Sequence, residues 1–534
     1  MKMVKSLILG SAAGLIAVGG AQAADLPVKA KAVEYVKVCS LYGAGFWYIP
    51  GTDTCMKIGG YVRIDTTFNG GVYGAPFWAG DPGQGNRFRD YFNSRSRMAL
   101  TVDTRTATEY GVVRTFAQGD FQFQNFGTSN PGVAQLTGAP LNSAYLSTAG
   151  GGYVAVEMVF IQFAGFTFGK SASAYATPWH GYPGNNNSFL LGGHDTVTGV
   201  NNIQYTAEFG NGVSASIGLD DPTVFNRTAV WNMALGVGAN GTGTNAYGGT
   251  HAPDIVGRVR VDQAWGLFQV SGSAHLVNGS YNTLAAGGVP TNLSEISGHP
   301  EDKWGGSVMA ALQIKNLPTG AGDDFKIDAT YAIGDTKQVI STSGGSPSFA
   351  MFGGSGFGYQ SVGFGGTSDA MYAPPGTFGF AAGGPGSGLI LTKAWGVRGA
   401  FNHNWDPYWS SSLWGSYAQV KYDGGANDNL NGIASAKGIY CAAFAASHPG
   451  QAAAGNAAGN YTCNPDFNVA QIGLTTRWTP VKNLTFSAEV GAFFLDQKMS
   501  GSSVFTATAP KPNALYEFKD QSTVFLNVRA QRNF

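Results

Sequence analysis

The sequence predicts an all-β protein, more specifically a sixteen-stranded antiparallel β-barrel that crosses a membrane. Stretches in which polar and apolar residues alternate with a period of two recur along the chain. The connections between these stretches are alternately long and short, as in membrane barrels. Composition agrees, because 79 of the 534 residues are glycine, a residue that destabilises helix interiors by about 1 kcal/mol relative to alanine.

Composition also excludes several classes of protein. The chain has 32 Lys and Arg against 32 Asp and Glu, and charged residues make up only 12% of it. A neutral chain without a basic run is poorly suited to displacing the counterions of nucleic acid, so no nucleic-acid partner is expected. Disorder is disfavoured by a hydrophobic content of 43% and an aromatic content of 13%.

The first 23 residues have the pattern of an export signal. Residues 1–5 are basic, residues 7–18 are apolar, and residues 21–23 read Ala-Gln-Ala, as in a cleaved signal peptide. The apolar stretch is shorter than the roughly 20 residues of a membrane helix, and no later run is long enough either. Residues 1–23 are therefore expected to be removed, which leaves a periplasmic, secreted or outer-membrane protein.

The four cysteines fit an exported protein. An even number of cysteines in an oxidising compartment predicts disulfide bonds. We expect the pairs Cys39–Cys55 and Cys441–Cys463, because short loops close at the lowest entropy cost. Neither pair has the spacing of a metal site, and no cofactor is predicted.

Sixteen candidate strands make up the proposed barrel. They are 57–69, 93–106, 109–122, 152–164, 166–175, 200–210, 212–220, 254–263, 265–277, 303–314, 323–333, 391–405, 409–422, 467–478, 482–496 and 521–534. Short turns at Asn211-Gly212, 406–408 and 479–481 separate strands of predicted hairpins. Strands of about 9–11 residues suit a tilted crossing of hydrocarbon, and only a closed barrel pairs every backbone group there. The barrel is expected to occupy residues 57–534, after an N-terminal segment 24–56.

The alternation gives each strand an apolar face and a polar face. In 57–69, Ile64 and its apolar neighbours alternate with Arg63 and other polar residues. In 93–106, Met98 alternates with Arg95 and Arg97, whereas Arg114 is ambiguous because it shares its parity with apolar residues. A single soluble strand with one solvated face would look the same. Sixteen strands with this alternation favour a barrel around a water-filled lumen. Each of these arginines is then expected either to face the lumen or to lie at the rim or in a subunit contact.

Aromatic residues and the chain end give two further signals. Aromatic residues gather at predicted strand ends, as in interfacial girdles, although general β propensity explains part of them. They are Trp265, Trp405, Tyr408, Trp409 and Trp478 beside short turns, and Trp304, Tyr331, Trp395 and Tyr422 near long loops. The chain ends on Phe534, which closes a mainly apolar alternation. This ending resembles the terminal signal by which outer-membrane barrels are recognised for assembly.

Several stretches carry a family resemblance. They are VCSLYGAGFWYIPGTDTC at 38–55, GGYVR at 59–63, QAWG at 263–266 and QRNF at 531–534. The chain thereby resembles the outer-membrane porins of alphaproteobacteria over essentially its whole mature length. The resemblance implies a homotrimer, in contact with outer-membrane lipid and lipopolysaccharide, that passes small hydrophilic solutes and ions without energy input. It also implies that short turns lie on the periplasmic side and long loops outside.

The resemblance further implies a loop that narrows the pore. The hairpin 161–170 looks like the one that precedes the third long loop of trimeric porins, which folds into the barrel. In this chain that loop, here called the constriction loop, is 176–199. Its candidate residues are His180, Asn185, Asn186, Asn187, His194 and Asp195. In many porins an acidic loop lies opposite a basic barrel wall. The constriction loop of this chain departs from that pattern, because Asp195 is its single carboxylate. The electric field across the pore is therefore expected to be weak, or to be set mainly by Arg63, Arg95, Arg97 and Arg114.

Three functions remain open at this point. A general diffusion porin is expected first, a solute-specific channel second, and a non-conducting adhesin or structural barrel third. The last is suggested by loop 334–390, which could cap the mouth, cover a neighbouring subunit, contact another cell, or be a weakly constrained surface loop. Catalysis is not expected, because the seven histidines are dispersed and no metal-binding or nucleophile motif is present.

Overall fold

The computed structural model describes residues 37–79, 85–87, 89–124, 153–194, 197–223, 226–342, 345–448, 461–507 and 510–534. The expected signal peptide, 1–23, and the candidate residue Asp195 lie outside these ranges. Among the helices that the structure describes, none has the length and apolar character needed to cross a membrane.

Sixteen strands form one closed antiparallel barrel, which confirms the predicted fold. They are β1 Thr54–Phe68, β2 Phe92–Thr108, β3 Gly111–Gln124, β4 Tyr153–Phe163, β5 Phe166–Ser171, β6 Val200–Gly210, β7 Val213–Asp220, β8 Asp254–Gln263, β9 Gly266–Val277, β10 Lys303–Lys315, β11 Asp324–Ile333, β12 Lys393–Asn404, β13 Trp409–Lys421, β14 Phe467–Val481, β15 Leu484–Gln497 and β16 Gln521–Asn533. Each strand pairs with the next, and β1 pairs with β16 from Tyr61–Asn533 to Phe68–Leu526, which closes the barrel. A two-residue strand, Trp47–Tyr48, adds to β1.

The period-two pattern places the faces as the sequence predicts. On β1, Ile58, Val62 and Ile64 are exposed on the outer surface, each by more than 40%. Asp65 and Thr67, which alternate with them, are almost fully buried inside. An apolar outer face and a polar inner face are what a strand between lipid and water requires.

Tight turns join the strands at one end. Asn211 and Gly212 have φ values of 50° and 74°, as in the turns that suit the twist of a hairpin. A Cβ on Gly212 would lie 1.9 Å from the carbonyl oxygen of Asp262, so the position needs glycine. The turn expected at 479–481 is wrong: β14 continues to Val481 through an irregularity in its pairing, and the chain turns at residues 482–483. The irregularity spans Pro480, which cannot donate to a regular ladder.

Aromatic residues ring the outer surface at both ends of the barrel. Trp409 and Trp478 are exposed and stacked at the short-turn end, with ring centroids 6.0 Å apart. Trp304 and Trp395 are exposed at the other end. The prediction for Tyr422 is wrong, because this ring is buried and stacks on Trp231 at 6.0 Å among the long loops.

The long loops fold together into what we call the cap. It contains two small sheets, one of Ala229–Val237, Gly243–Asn245, Ser368–Tyr372 and Ile390–Leu391, the other of Phe349–Gly353, Gln360–Gly365, Tyr461–Thr462, Ser500–Thr506 and Asn513–Phe518. The helix α1 is Ala436–Ser447, and short 3-10 turns lie at Ser40–Tyr42, Ala286–Gly288, Glu295–Ser297, Thr336–Gln338 and Asp428–Asn431. Both expected disulfides are present, Cys39–Cys55 in the N-terminal segment and Cys441–Cys463 in the cap.

The cap shares a hydrophobic core with the inner wall of the barrel. Phe349 of loop 334–390 packs on Phe467 and Phe493, at centroid distances of 5.7 and 5.4 Å. Both partners are fully buried on β14 and β15. Loop 334–390 is therefore not a weakly constrained surface loop, since its strands pack over the mouth of the barrel on this side.

Candidate functional site

The third long loop folds into the lumen, as the family resemblance implies. β5 ends at Ser171, where the chain leaves the barrel wall. The backbone oxygen of Ala176 then accepts a hydrogen bond of 2.7 Å from Gln269 Nε2, and that of Pro178 accepts one of 3.2 Å from Arg260. The first part of the constriction loop thus lies against β8 and β9.

A buried ion pair holds the last part of the loop. Arg398 on β12 and Asp328 on β11 lie 3.0 Å apart and are fully buried. Arg398 also donates to the backbone oxygens of Leu190, at 3.2 Å, and His194. A Cβ on Gly193 would lie 2.2 Å from the Asp328 carboxylate, so glycine is required for this close approach.

A second buried carboxylate holds the centre of the loop. Glu489 on β15 accepts hydrogen bonds from the backbone amides of Asn186 and Asn187. On the neighbouring strand, Arg477 donates to the backbone oxygen of Gly184. The constriction loop is therefore fixed along one side of the lumen, from β8 to β15.

The opposite side of the lumen contains a cavity of about 260 Å³, which we call the eyelet cavity. Its wall residues are Tyr61, Arg63, Arg95, Arg97, Gln118, Asp120, Glu157 and Arg529. Tyr73 lines it from the first long loop, and the constriction loop contributes His180, Gly181, Tyr182, Asn185, Asn186, Asn187, Ser188 and Val197. The structure thus brings together three of the four candidate arginines and four of the six candidate loop residues.

Most of the arginines in this cavity are paired with carboxylates. Asp65 lies between Arg95, at 2.8 Å, and Arg529. Arg97 pairs with Asp120 and lies 3.5 Å from Glu157. The lining contains four arginines and the carboxylates Asp120 and Glu157. With Asp65, which pairs with two of these arginines, the formal balance is +1, and the described part of the constriction loop contributes none of the three carboxylates.

Two candidate residues lie elsewhere. Arg114 faces inward but pairs with Asp103 at 3.0 Å and lines a separate cavity of about 500 Å³ near the short turns. His194 is buried against Tyr175, at a centroid distance of 5.5 Å, and its Nδ1 contacts Gln338. Burial, together with nearby Lys337, lowers the pKa of His194 to about 3, so its ring is neutral at pH 7.

Sequence reasoning missed several residues that shape the site. Arg529, Arg398 and Glu489 all lie on the inward parity of strands whose outward residues are apolar, so a systematic list of inward charged residues would have found them. Tyr73, from the first long loop, carries no such periodic signal. In the part of the chain that the structure covers, no three His, Cys, Asp or Glu residues are grouped to hold a metal ion.

Comparison with known proteins agrees with this geometry. The model of the family described as "Porin subfamily" matches residues 25–527. The porin Omp2b of Brucella suis is 36% identical over 268 residues, which cover 49% of this chain and 64% of that protein. Omp2b of Brucella abortus strain 2308 is 35% identical, with 49% of this chain and 63% of that protein covered. The matched segments therefore span slightly less than two thirds of these relatives.

One solved structure shares the fold. The outer membrane channel DcaP of Acinetobacter baumannii superposes with a TM-score of 0.53 at 14% identity, covering 91% of this chain and 99% of that one. At this identity the likeness concerns the fold alone. The match of the family model to residues 25–527 shows that the chain belongs to the porin subfamily, and the protein is a multi-pass β-barrel protein of the outer membrane.

Proposed function

We propose that this protein forms a water-filled channel through which small hydrophilic solutes and ions diffuse passively across the outer membrane. The observation that carries the proposal is the arrangement of the constriction loop, which is tied to β8–β15 and leaves the eyelet cavity on the opposite wall. Membership of the porin subfamily supports it. A barrel of sixteen strands is wide enough for an aqueous channel unless loops or a domain plug it.

The mechanism needs no covalent chemistry. The loop sets the size limit, and the charges that line the narrow zone set the ion preference at close range. We assign the ion preference to Arg63, Arg95 and Arg97, with the neutral loop residues His180 and 185–187 opposite them. The balance of +1 in the eyelet cavity favours anions. Arg114 acts on ions near the short-turn mouth, and the protein catalyses no reaction.

The surroundings of the channel are also part of the proposal. The apolar outer face of β1 suits outer-membrane lipid, and the long loops, on the outer side, suit lipopolysaccharide. The family resemblance supports a homotrimer, removal of residues 1–23 during export, and a role for Phe534 in assembly.

Bilayer recording tests the proposal. Purified protein added to a planar bilayer in KCl is expected to produce stepwise conductance, and a KCl gradient is expected to give a reversal potential on the anion-selective side. Folded protein that never conducts would contradict the channel and favour a non-conducting barrel. Saturable flux for a single solute would replace general diffusion by a solute-specific channel.

A further inference from the structure

Arg63 differs from the other three arginines of the eyelet cavity. Its Nε donates to the neutral Gln531 Oε1 at 2.7 Å. Within the described ranges no carboxylate lies within ion-pair distance of Arg63, whereas Arg95, Arg97 and Arg529 each have one. The two Nη groups of Arg63 make no hydrogen bond to a described residue. Arg63 therefore offers an unneutralised charge and a free pair of donors to the lumen.

Tyrosine rings lie directly beside these guanidinium groups. The Cζ of Arg63 lies over one face of the Tyr61 ring, 4.4 Å from its centroid, and the Cζ of Arg95 lies over one face of the Tyr73 ring, 4.7 Å from its centroid. Both rings line the eyelet cavity, and Tyr182 lines it from the loop. A guanidinium binds a carboxylate through two parallel hydrogen bonds, and flat aromatic surfaces favour a flat aromatic partner.

The opposite side of the cavity is compatible with an anion. Asn185, Asn186 and His180 face it, and none of the described loop residues that line it is a carboxylate. A volume of about 260 Å³ suits a molecule with a single ring. A tetrahedral anion such as phosphate would use the donors but would gain nothing from the tyrosine rings.

We propose that the eyelet cavity is a binding site for small aromatic carboxylates. The carboxylate pairs with the Nη groups of Arg63, and the ring lies against Tyr61 and Tyr73. The inference rests on the proposed channel function and names a solute class for it. It adds a saturable step to the passage of this class, whereas small inorganic ions diffuse through the same opening without saturation.

Current block by four probes, namely benzoate, cyclohexanecarboxylate, benzamide and inorganic phosphate, tests the site. Benzoate is expected to reduce the KCl current in a saturable way. Cyclohexanecarboxylate, which has the same charge on a puckered ring, is expected to need a several-fold higher concentration, and uncharged benzamide is expected to have no effect. Equal potency of benzoate and cyclohexanecarboxylate, or of benzoate and phosphate, would overturn the aromatic preference.

Substitutions locate the site. Arg63→Gln is expected to raise the half-blocking benzoate concentration roughly tenfold, since it removes a charge-assisted pair of hydrogen bonds. The matched control is Arg258→Gln, at an inward arginine that lines the cavity near the short turns. Within the described part of the chain, Arg258 also donates to a neutral partner, Ser216 Oγ at 3.2 Å, and to no carboxylate. Its benzoate block is expected to stay at the wild-type value. Tyr61→Leu, which keeps all charges and removes the aromatic ring, is expected to weaken benzoate several-fold and to bring its potency close to that of cyclohexanecarboxylate.

A direct binding measurement separates this inference from the channel function. Saturation-transfer NMR of benzoate with detergent-solubilised full-length protein is expected to show binding that Arg63→Gln strongly weakens and Arg258→Gln keeps. Conductance without benzoate binding would overturn the site while leaving the channel intact. Benzoate binding without conductance would support the site and overturn the channel.

Discussion

Glu489 on β15 and Asn187 in the constriction loop are joined by two hydrogen bonds to one carboxylate oxygen. The backbone amide of Asn187 donates at 3.0 Å and its side-chain amide at 2.6 Å. Thr475 donates to the other oxygen at 2.6 Å, and Glu489 is fully buried. A buried carboxylate that is saturated in this way fixes the backbone next to the eyelet cavity.

Replacing Glu489 is expected to loosen the constriction loop. Glu489→Ala leaves the amides of Asn186 and Asn187 without their acceptor, at about 1–3 kcal/mol for each buried group. We expect single-channel recordings to show brief closures about ten times more often than in the wild type. Glu208→Ala, at an exposed glutamate near the short turns, is the control. Unchanged open-channel noise in Glu489→Ala would show that the other contacts suffice to hold the loop.

The strands and the faces of the barrel could be predicted from the sequence because both depend on a local signal. Ile64 and Arg63 are adjacent, and the period of two alone assigns them to opposite faces. Asn211-Gly212 likewise identifies its turn from two residues. The end of β14 could not be placed, since Pro480 suggests a turn but is accommodated by an irregularity in the pairing.

The path of the constriction loop and the fold of the cap depend on contacts that are distant in sequence. Asn187 and Glu489 are 302 residues apart, and Leu190 and Arg398 are 208 apart. No periodicity links such pairs, so the separate position of His194 could not be predicted. The family resemblance implied that the loop enters the barrel, but it did not imply which wall the loop follows.

Neutral replacements of the eyelet arginines are expected to move ion selectivity toward cations. The formal balance of the cavity is +1, so Arg63→Gln alone brings it to zero and the triple replacement of Arg63, Arg95 and Arg97 brings it to −2. A unit charge at 4 Å in water is worth about 1 kcal/mol, or roughly fivefold in relative ion occupancy. Reversal potentials in a KCl gradient are expected to follow the order wild type, single variant, triple variant. An unchanged reversal potential in the triple variant would show that these side chains do not control the ion path.

Arg63→Gln tests the effect of cavity charge on ion selectivity more directly than the triple variant does. Arg95 and Arg97 neutralise the buried Asp65 and Asp120, so their removal leaves unpaired charges that also destabilise the barrel. Arg63 has no such partner among the described residues, where its Nε bonds the neutral Gln531. Arg532→Gln, at an exposed arginine outside the lumen, is the control and is expected to keep the wild-type potential.

Loss of the terminal aromatic side chain is expected to impair assembly and leave export intact. The backbone of Phe534 exchanges two hydrogen bonds with Gly60, at 3.1 and 3.2 Å, while the residue as a whole is 57% exposed. Phe534→Ala keeps the backbone pairing and removes only the ring, whereas deletion of Phe534 removes both. If the ring is the assembly signal, both variants lower the yield of heat-modifiable protein in outer-membrane fractions to a similar degree. A normal yield for Phe534→Ala would assign the role to strand closure.

The Cys441–Cys463 disulfide is expected to stabilise the cap but not the barrel. It ties α1 to the start of β14 and closes a loop of 22 residues, a length for which chain entropy gives about 3 kcal/mol. The double variant Cys441→Ser/Cys463→Ser is expected to become sensitive to proteases between residues 423 and 463, with the barrel strands still protected. The corresponding variant of Cys39 and Cys55 is the control, because that bond lies outside the cap. Cleavage within the barrel strands would contradict this division.

Acidification is expected to loosen the constriction loop through His194. Burial lowers the pKa of this ring to about 3, while the unfolded value is near 6.5. Between these two pKa values the folded state therefore binds fewer protons than the unfolded state. The contribution of His194 to the free energy of unfolding is thus fully present above pH 6.5. Below pH 6.5 it decreases as the pH falls, by at most about 1.4 kcal/mol per pH unit. Open-channel noise at pH 4.5 is expected to exceed that at pH 7 in the wild type. His194→Gln retains a side chain that can bond Gln338 but cannot titrate. The open-channel noise of this variant is expected to change less between pH 7 and pH 4.5. An equal change in both proteins would assign the effect to other titratable groups.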